Sequence, residues 1–89
     1  MTFEKIIGDL RGAHPDPLAN AAFTRLEQIL GERNAPITRQ RLKAYAEAEA
    51  QELSRQAANY ETMQGFYHPN VAAARAAEAE VMRDLAGRL

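Results

Sequence analysis

Four cations fall within a stretch of eleven residues: Arg33, Arg39, Arg41 and Lys43, with Glu32 alongside as a partial offset. Guanidinium and ammonium groups gathered this closely can hold a phosphate or a carboxylate. Their position sharpens that reading. Thr38 is a candidate N-cap, and Ile37 and Leu42 occupy the flanking positions of a hydrophobic staple, so a helix should open at Arg39. Arg39 and Arg41 then lie in its first turn, where the helix dipole is positive and each cation is disfavoured by about 0.3–1 kcal/mol. Cations beside free backbone N–H groups make a candidate anion site. A helix, a turn and a second helix opening Thr-Arg-Gln-Arg-Leu-Lys also loosely resembles a helix-turn-helix, in which Arg and Gln read base edges. Two features cut against it: the turn is too long, and the second helix runs on into an acidic stretch. Arg39 and Lys43 share a face while Arg41 points roughly opposite. The plainer alternative is that these side chains lie along apolar surface with their charged heads in water.

A second candidate is the segment Tyr60–Asn70, which contains Tyr60, Met63, Phe66 and Tyr67. Aromatic residues and methionine gathered at the end of a bundle can anchor a protein partner. They also have a structural reading. With Gly65 at the C′ position, Phe66 and Tyr60 stand where the hydrophobic contact of a helix-closing motif is made.

Catalytic chemistry finds few residues here. The chain has no cysteine, Ser54 is its one serine, and His14 and His68 are its histidines, each directly before a proline. Nucleophilic catalysis needs a nucleophile beside a base, and a metal site needs several converging ligands. Neither pattern is present. The Glu-x-x-His spacing of di-iron bundles is missing, as is a glycine-rich phosphate loop. Lys43 with Glu47, Glu52 with Arg55, and Arg75 with Glu78 are three or four residues apart, the spacing of solvated helix-surface pairs. The expectation is a protein that is not an enzyme and that uses no cofactor or metal.

The elements that must carry these residues follow from apolar spacing and punctuation. Helix 1 is expected over 3–10, with Phe3, Ile6, Ile7 and Leu10 as one stripe and Gly12 just past its end. Helix 2 is expected over 17–31: Asp16 caps it, Pro17 suits its first position, and Leu18, Ala22, Phe23, Leu26, Ile29 and Leu30 form its stripe. Gly31 or Asn34 could end it before Pro36. Helix 3 is expected over 39–64, with Leu42, Ala46, Ala50, Leu53, Ala57 and Tyr60 inward and Gly65 closing it. Helix 4 is expected over 71–86 behind an Asn70 cap, with Ala74, Ala77, Val81, Leu85 and Leu89 inward and Met82 beside them.

Composition sets the remaining bounds. Eighteen of the 89 residues are alanine, while Leu, Ile, Val and Phe together number only seventeen. So thin a core is near the level where disorder becomes a concern, but a net charge of −1 and regular helical spacing favour a fold. The near-zero charge also argues against a general nucleic-acid coat. No apolar run approaches the ~20 residues needed to cross a bilayer, and the first residues lack a leader-like pattern. Nine arginines against two lysines, with the alanines, suggest a bacterial or phage source.

The sequence therefore predicts an all-α protein. It should be a single domain over 1–89, a small four-helix bundle with a long antiparallel hairpin of helices 3 and 4. The expected function is a non-enzymatic, cytoplasmic protein-interaction module: an adaptor, regulator or inhibitor, with a host nucleic-acid-handling complex as a target that would suit a phage protein. Another protein is the expected partner, with no membrane involved. The alternative is a small DNA- or RNA-binding protein using residues 33–43. A homodimer or higher homo-oligomer formed along helices 3 and 4 is expected, because so few large apolar groups should leave alanine-rich faces uncovered.

Overall fold

The computed structural model describes residues 3–31, 37–62 and 69–89. Among these it contains four α-helices and one 3-10 turn, with no strand. In chain order they are α1 (Phe3–Ala13), the 3-10 turn (Pro17–Ala19), α2 (Asn20–Leu30), α3 (Arg39–Thr62) and α4 (Pro69–Arg88). The molecule measures 45 × 24 × 22 Å. Its long dimension is that of the antiparallel α3–α4 hairpin, since 24 residues of α3 span about 36 Å at 1.5 Å per residue.

Helix α4 is the hub. It packs against α3, α1, the 3-10 turn and α2, whereas no Cα of α3 comes within 8 Å of a Cα of those three other elements. This arrangement corrects the expected inner face of α4. Val81, Met82 and Leu85 are buried as anticipated, but Ala72, Ala79 and Ala86 are buried too, while Ala74, Ala77 and Leu89 are only half-buried. At about 100° per residue the buried positions cover roughly half the circumference. A helix with neighbours on two sides has no single stripe to find.

The stripes of the other helices hold better. Ile6, Ile7 and Leu10 of α1 are buried, as are Ala22, Phe23 and Leu26 of α2 and Leu42, Ala46, Ala50, Leu53 and Ala57 of α3. Phe3, Leu30 and Ile37 pack partly buried against this core. Beyond Leu53 the hairpin thins: Ala57 and Ala72 are buried but lie outside the main cluster.

Several boundaries differ from expectation. Helix α1 passes through Gly12 to Ala13, and the His14 N–H closes its last turn on the Leu10 carbonyl at 2.8 Å. Asp16 does act as a cap, its Oδ1 accepting from the Leu18 N–H at 2.9 Å, but the first turn after it is 3-10. The tighter 3-10 winding rotates the register, so Leu18 is 42% exposed and Ala19 is buried in its stead. Gly31 ends α2 in an ordinary right-handed conformation, its N–H reaching the Glu27 carbonyl at 2.9 Å. Asn34 lies outside the described residues, as do Gln64 and Gly65, expected at the end of helix 3. Thr38 caps α3 as anticipated, accepting from the Arg41 N–H at 3.2 Å. Helix α4 starts at Pro69, so Asn70 is inside the helix rather than its cap, and the helix continues past Ala86 to Arg88. Proline is tolerated in a first turn because its missing N–H would have had no intrahelical acceptor. Among the described residues no helix is long and apolar enough to cross a membrane.

Candidate functional site

The basic segment does not form a common focus. Arg33 lies outside the described residues. Arg39 turns toward the end of α4, donating from Nε to the Leu89 carbonyl at 2.8 Å and from Nη2 to the Arg88 carbonyl at 3.3 Å. The start of α3 lies beside the end of α4 in the antiparallel hairpin. A cation disfavoured by one dipole is therefore favoured by its neighbour, and it satisfies carbonyls that have no intrahelical donor. Arg41 and Lys43 are exposed, and their side chains form no ion pair among the described residues.

Of the aromatic segment, Tyr60 is half-buried on α3. Met63, Phe66 and Tyr67 lie outside the described residues, and so does His68. His14 meets a partner that sequence spacing did not indicate: its Nε2 stands 2.8 Å from Oδ2 of Asp84 on α4. Asp84 also accepts from Arg88 Nε at 2.9 Å. Bonds from Arg88 and then His14 hold the Asp84 carboxyl below its usual pKa. Ser54 accepts from Arg83 Nη2 at 2.6 Å, across from α4 to α3.

The most consequential polar group was read differently in the sequence. Glu78 is fully buried, not part of a solvated surface pair. Arg75 Nη1 donates to its Oε2 at 2.7 Å, and Arg25 Nη2 of α2 lies 2.8 Å from Oε1. The second approach is off the line of the N–H bonds, so it is an ion pair and not an aligned hydrogen bond. Arg25 Nε also comes within 3.8 Å of Glu49 Oε2 on α3. Tyr45 stands in the same cluster, and burial followed by the Glu49 charge raises its pKa, with Arg25 acting the other way. Through Arg25 and these side chains α2 reaches α3, although the backbones stay apart. One sequence signal could have revealed Glu78: it heads the row Glu78, Val81, Met82, Leu85, spaced i, i+3, i+4, i+7, where a buried side chain is expected.

The remaining feature is the side of the hairpin turned away from α1 and α2. A shallow groove runs between α3 and α4 there. Ala50, Ser54 and Ala86 line one part with Glu47 and Gln51 at its rim, and Ala57, Ala76 and Ala79 line the next, with Glu80 and Arg83 above them. Gly87 lies on the same side and would accept a Cβ without meeting any atom within 4 Å.

The sequence matches no protein-family model, and comparison with curated proteins and with solved structures finds no similar chain.

Proposed function

We propose that this chain is a non-enzymatic interaction module, an adaptor, regulator or inhibitor, whose α3–α4 hairpin is covered by another protein chain. The observation that carries this reading is the one-sided covering of the hairpin. The elements α1, the 3-10 turn and α2 all pack through α4, and the opposite side is left as a groove of small residues between charged rims. A groove floored by alanine and serine lets a partner helix approach closely. Its mixed charges provide orientation more than affinity. A cytoplasmic setting, bacterial or phage, fits the composition.

Nucleic-acid binding through residues 33–43 is the weaker reading, because Arg39 is engaged with the carbonyls at the end of α4. Two measurements separate these readings. Fluorescence anisotropy with DNA and RNA oligonucleotides should show no binding that steepens as salt is lowered, the signature of phosphate contacts. Affinity capture from source cells should retain a protein partner that Gly87→Arg, a change on the open face, fails to retain. Tight, salt-sensitive oligonucleotide binding, lost on Arg41→Gln and Lys43→Gln, would replace this proposal with the nucleic-acid one.

A further inference from the structure

The hydrogen bond from Arg83 to Ser54 crosses the open groove of the hairpin. Both residues line both halves of that groove, the part containing Ala50 and Ala86 and the part containing Ala57 and Ala79, so the bond is a bridge between the two. Glu47 borders only the first half and Glu80 only the second. Among the described residues Arg83 is therefore the one cation lining the groove, set between two carboxylates, and it forms an ion pair with neither. Its acceptor is a neutral hydroxyl at 2.6 Å, which leaves the rest of the guanidinium fork to water.

We infer that the groove is covered by a helix of a different protein with a glutamate or aspartate at the centre of its contact face, and that this carboxylate takes the Arg83 guanidinium. The inference rests on the interaction reading above and names the chemistry of the occupant. Desolvation selects it. Arg83 is exposed in the free chain, so its charge is hydrated. A partner seated over the bridge removes that water, and a guanidinium shielded from solvent with only a hydroxyl to hold it is strongly disfavoured. Glu47 and Glu80 are exposed toward the two ends of the groove, where they keep their own hydration. A carboxylate on the partner meets the fork directly and can accept two parallel N–H bonds. The same two rim carboxylates oppose a helix that is acidic along its length, so the complementary pattern is one acid with neutral or basic neighbours to either side. A nucleic acid fails on the same count, because one cation against two carboxylates leaves the lining net negative. The alanines of the floor make the occupant a helix, since small residues let two axes approach toward the short end of about 8–10 Å.

A displayed library of helical peptides randomised along one face, selected against the full chain, tests this. The enriched peptides should share one central acidic residue, and fluorescence anisotropy then measures their affinity. Replacing that acid with glutamine, or Arg83 with glutamine, should weaken binding roughly tenfold or more, the loss of a charge-assisted contact. Arg83→Glu should recover binding to within about threefold when the peptide's acid is changed to lysine. Ser54→Ala keeps the guanidinium and removes its tether, so it should preserve the preference for the acid. Melting curves should place Arg83→Gln and Ser54→Ala within a few degrees of wild type, since only one exposed bond is lost. Ala76→Tyr, a bulky change at an exposed position of the groove, should abolish binding of every enriched peptide. Peptides without a common acid, or an acid preference that survives Arg83→Gln, overturn the inference, and so does binding lost when Glu47 and Glu80 are both changed to glutamine. A wild type that sediments at twice 9.9 kDa and becomes a monomer on Ala76→Tyr also overturns it, because a second copy then fills the groove. If enriched peptides ignore charge but are blocked by Ala76→Tyr, the interaction reading stands and only the chemistry of the occupant falls. If no enriched peptide is blocked by that change, both fall.

Discussion

Arg25 on α2 and Glu78 on α4 stand 2.8 Å apart, and Glu78 has no exposed surface at all. A carboxylate moved into an interior must recover its lost hydration from its partners, and the second partner is Arg75 at 2.7 Å. Both arginine side chains are 32% exposed, so the pair is open to water on its cationic side alone. Removing Glu78 leaves Arg75 without a counter-charge and Arg25 with only its longer contact to Glu49, while removing one arginine leaves Glu78 with the other. Glu78→Ala should therefore cost about 3 kcal/mol, near the lower end for breaking a buried pair, because the arginines can swing to solvent. Replacing all three of Arg25, Arg75 and Glu78 with methionine should cost less than the single change, since the only charge then left without its partner is Glu49, which reaches solvent and held Arg25 only at 3.8 Å. Urea denaturation of both variants checks the order. A single variant as stable as wild type would show that the network contributes nothing.

Arg39 tests the junction of α3 and α4. Its two bonds to the Leu89 and Arg88 carbonyls are exposed, and its place in the first turn of α3 opposes them electrostatically. Arg39→Gln should cost about 0.5–1 kcal/mol, a drop in Tm of a few degrees for a domain this small. Arg41→Gln, with no such bond, should leave Tm unchanged or slightly raised. Equal effects from the two changes would remove the capping role of Arg39.

The N-cap of α3 is testable by itself. Thr38→Ala removes the acceptor for the Arg41 N–H and should cost about 1 kcal/mol, whereas Thr38→Ser should retain most of the stability. Thermal melts of the two variants read the difference.

Asp84 gives stability a pH dependence. Its folded pKa is depressed by Arg88 and His14, so its contribution is present above the ordinary value of 3.8 and is lost as pH falls through the lower folded value. Glu52 follows the same sign, its pKa drawn down to about 2 by bonds from Arg55 and Gln56. Stability should fall as pH drops from about 4.5 toward about 2. Asp84→Asn should flatten the part of that slope below 3.8. An unchanged slope in denaturant titrations across this range would show that the His14–Asp84–Arg88 contact has no effect on stability.

How much of this was legible beforehand depends on the range over which each feature is encoded. The number of helices, the inward stripes of α1 and α3 and the caps at Asp16 and Thr38 each arise from residues within about one or two turns, so periodicity and local hydrogen-bond chemistry reveal them. The rotation that exposes Leu18 was not legible, because a 3-10 turn and an α-turn begin with the same cap and the same proline.

The sequence by itself determined that this chain is helical, where its helices begin and end to within a few residues, and that a long α3 must fold back on α4. The tertiary structure alone decided what the charged residues do. Arg39 is at the unfavourable end of its own helix, yet it meets the favourable end of another fifty residues away. Glu78 is three residues from Arg75, as a surface pair would be, yet α2 closes over it and brings Arg25 to its other oxygen. Charges act across space and through whatever solvent the packing leaves. Their roles were set when α4 took neighbours on two sides, and spacing along one helix does not encode that choice.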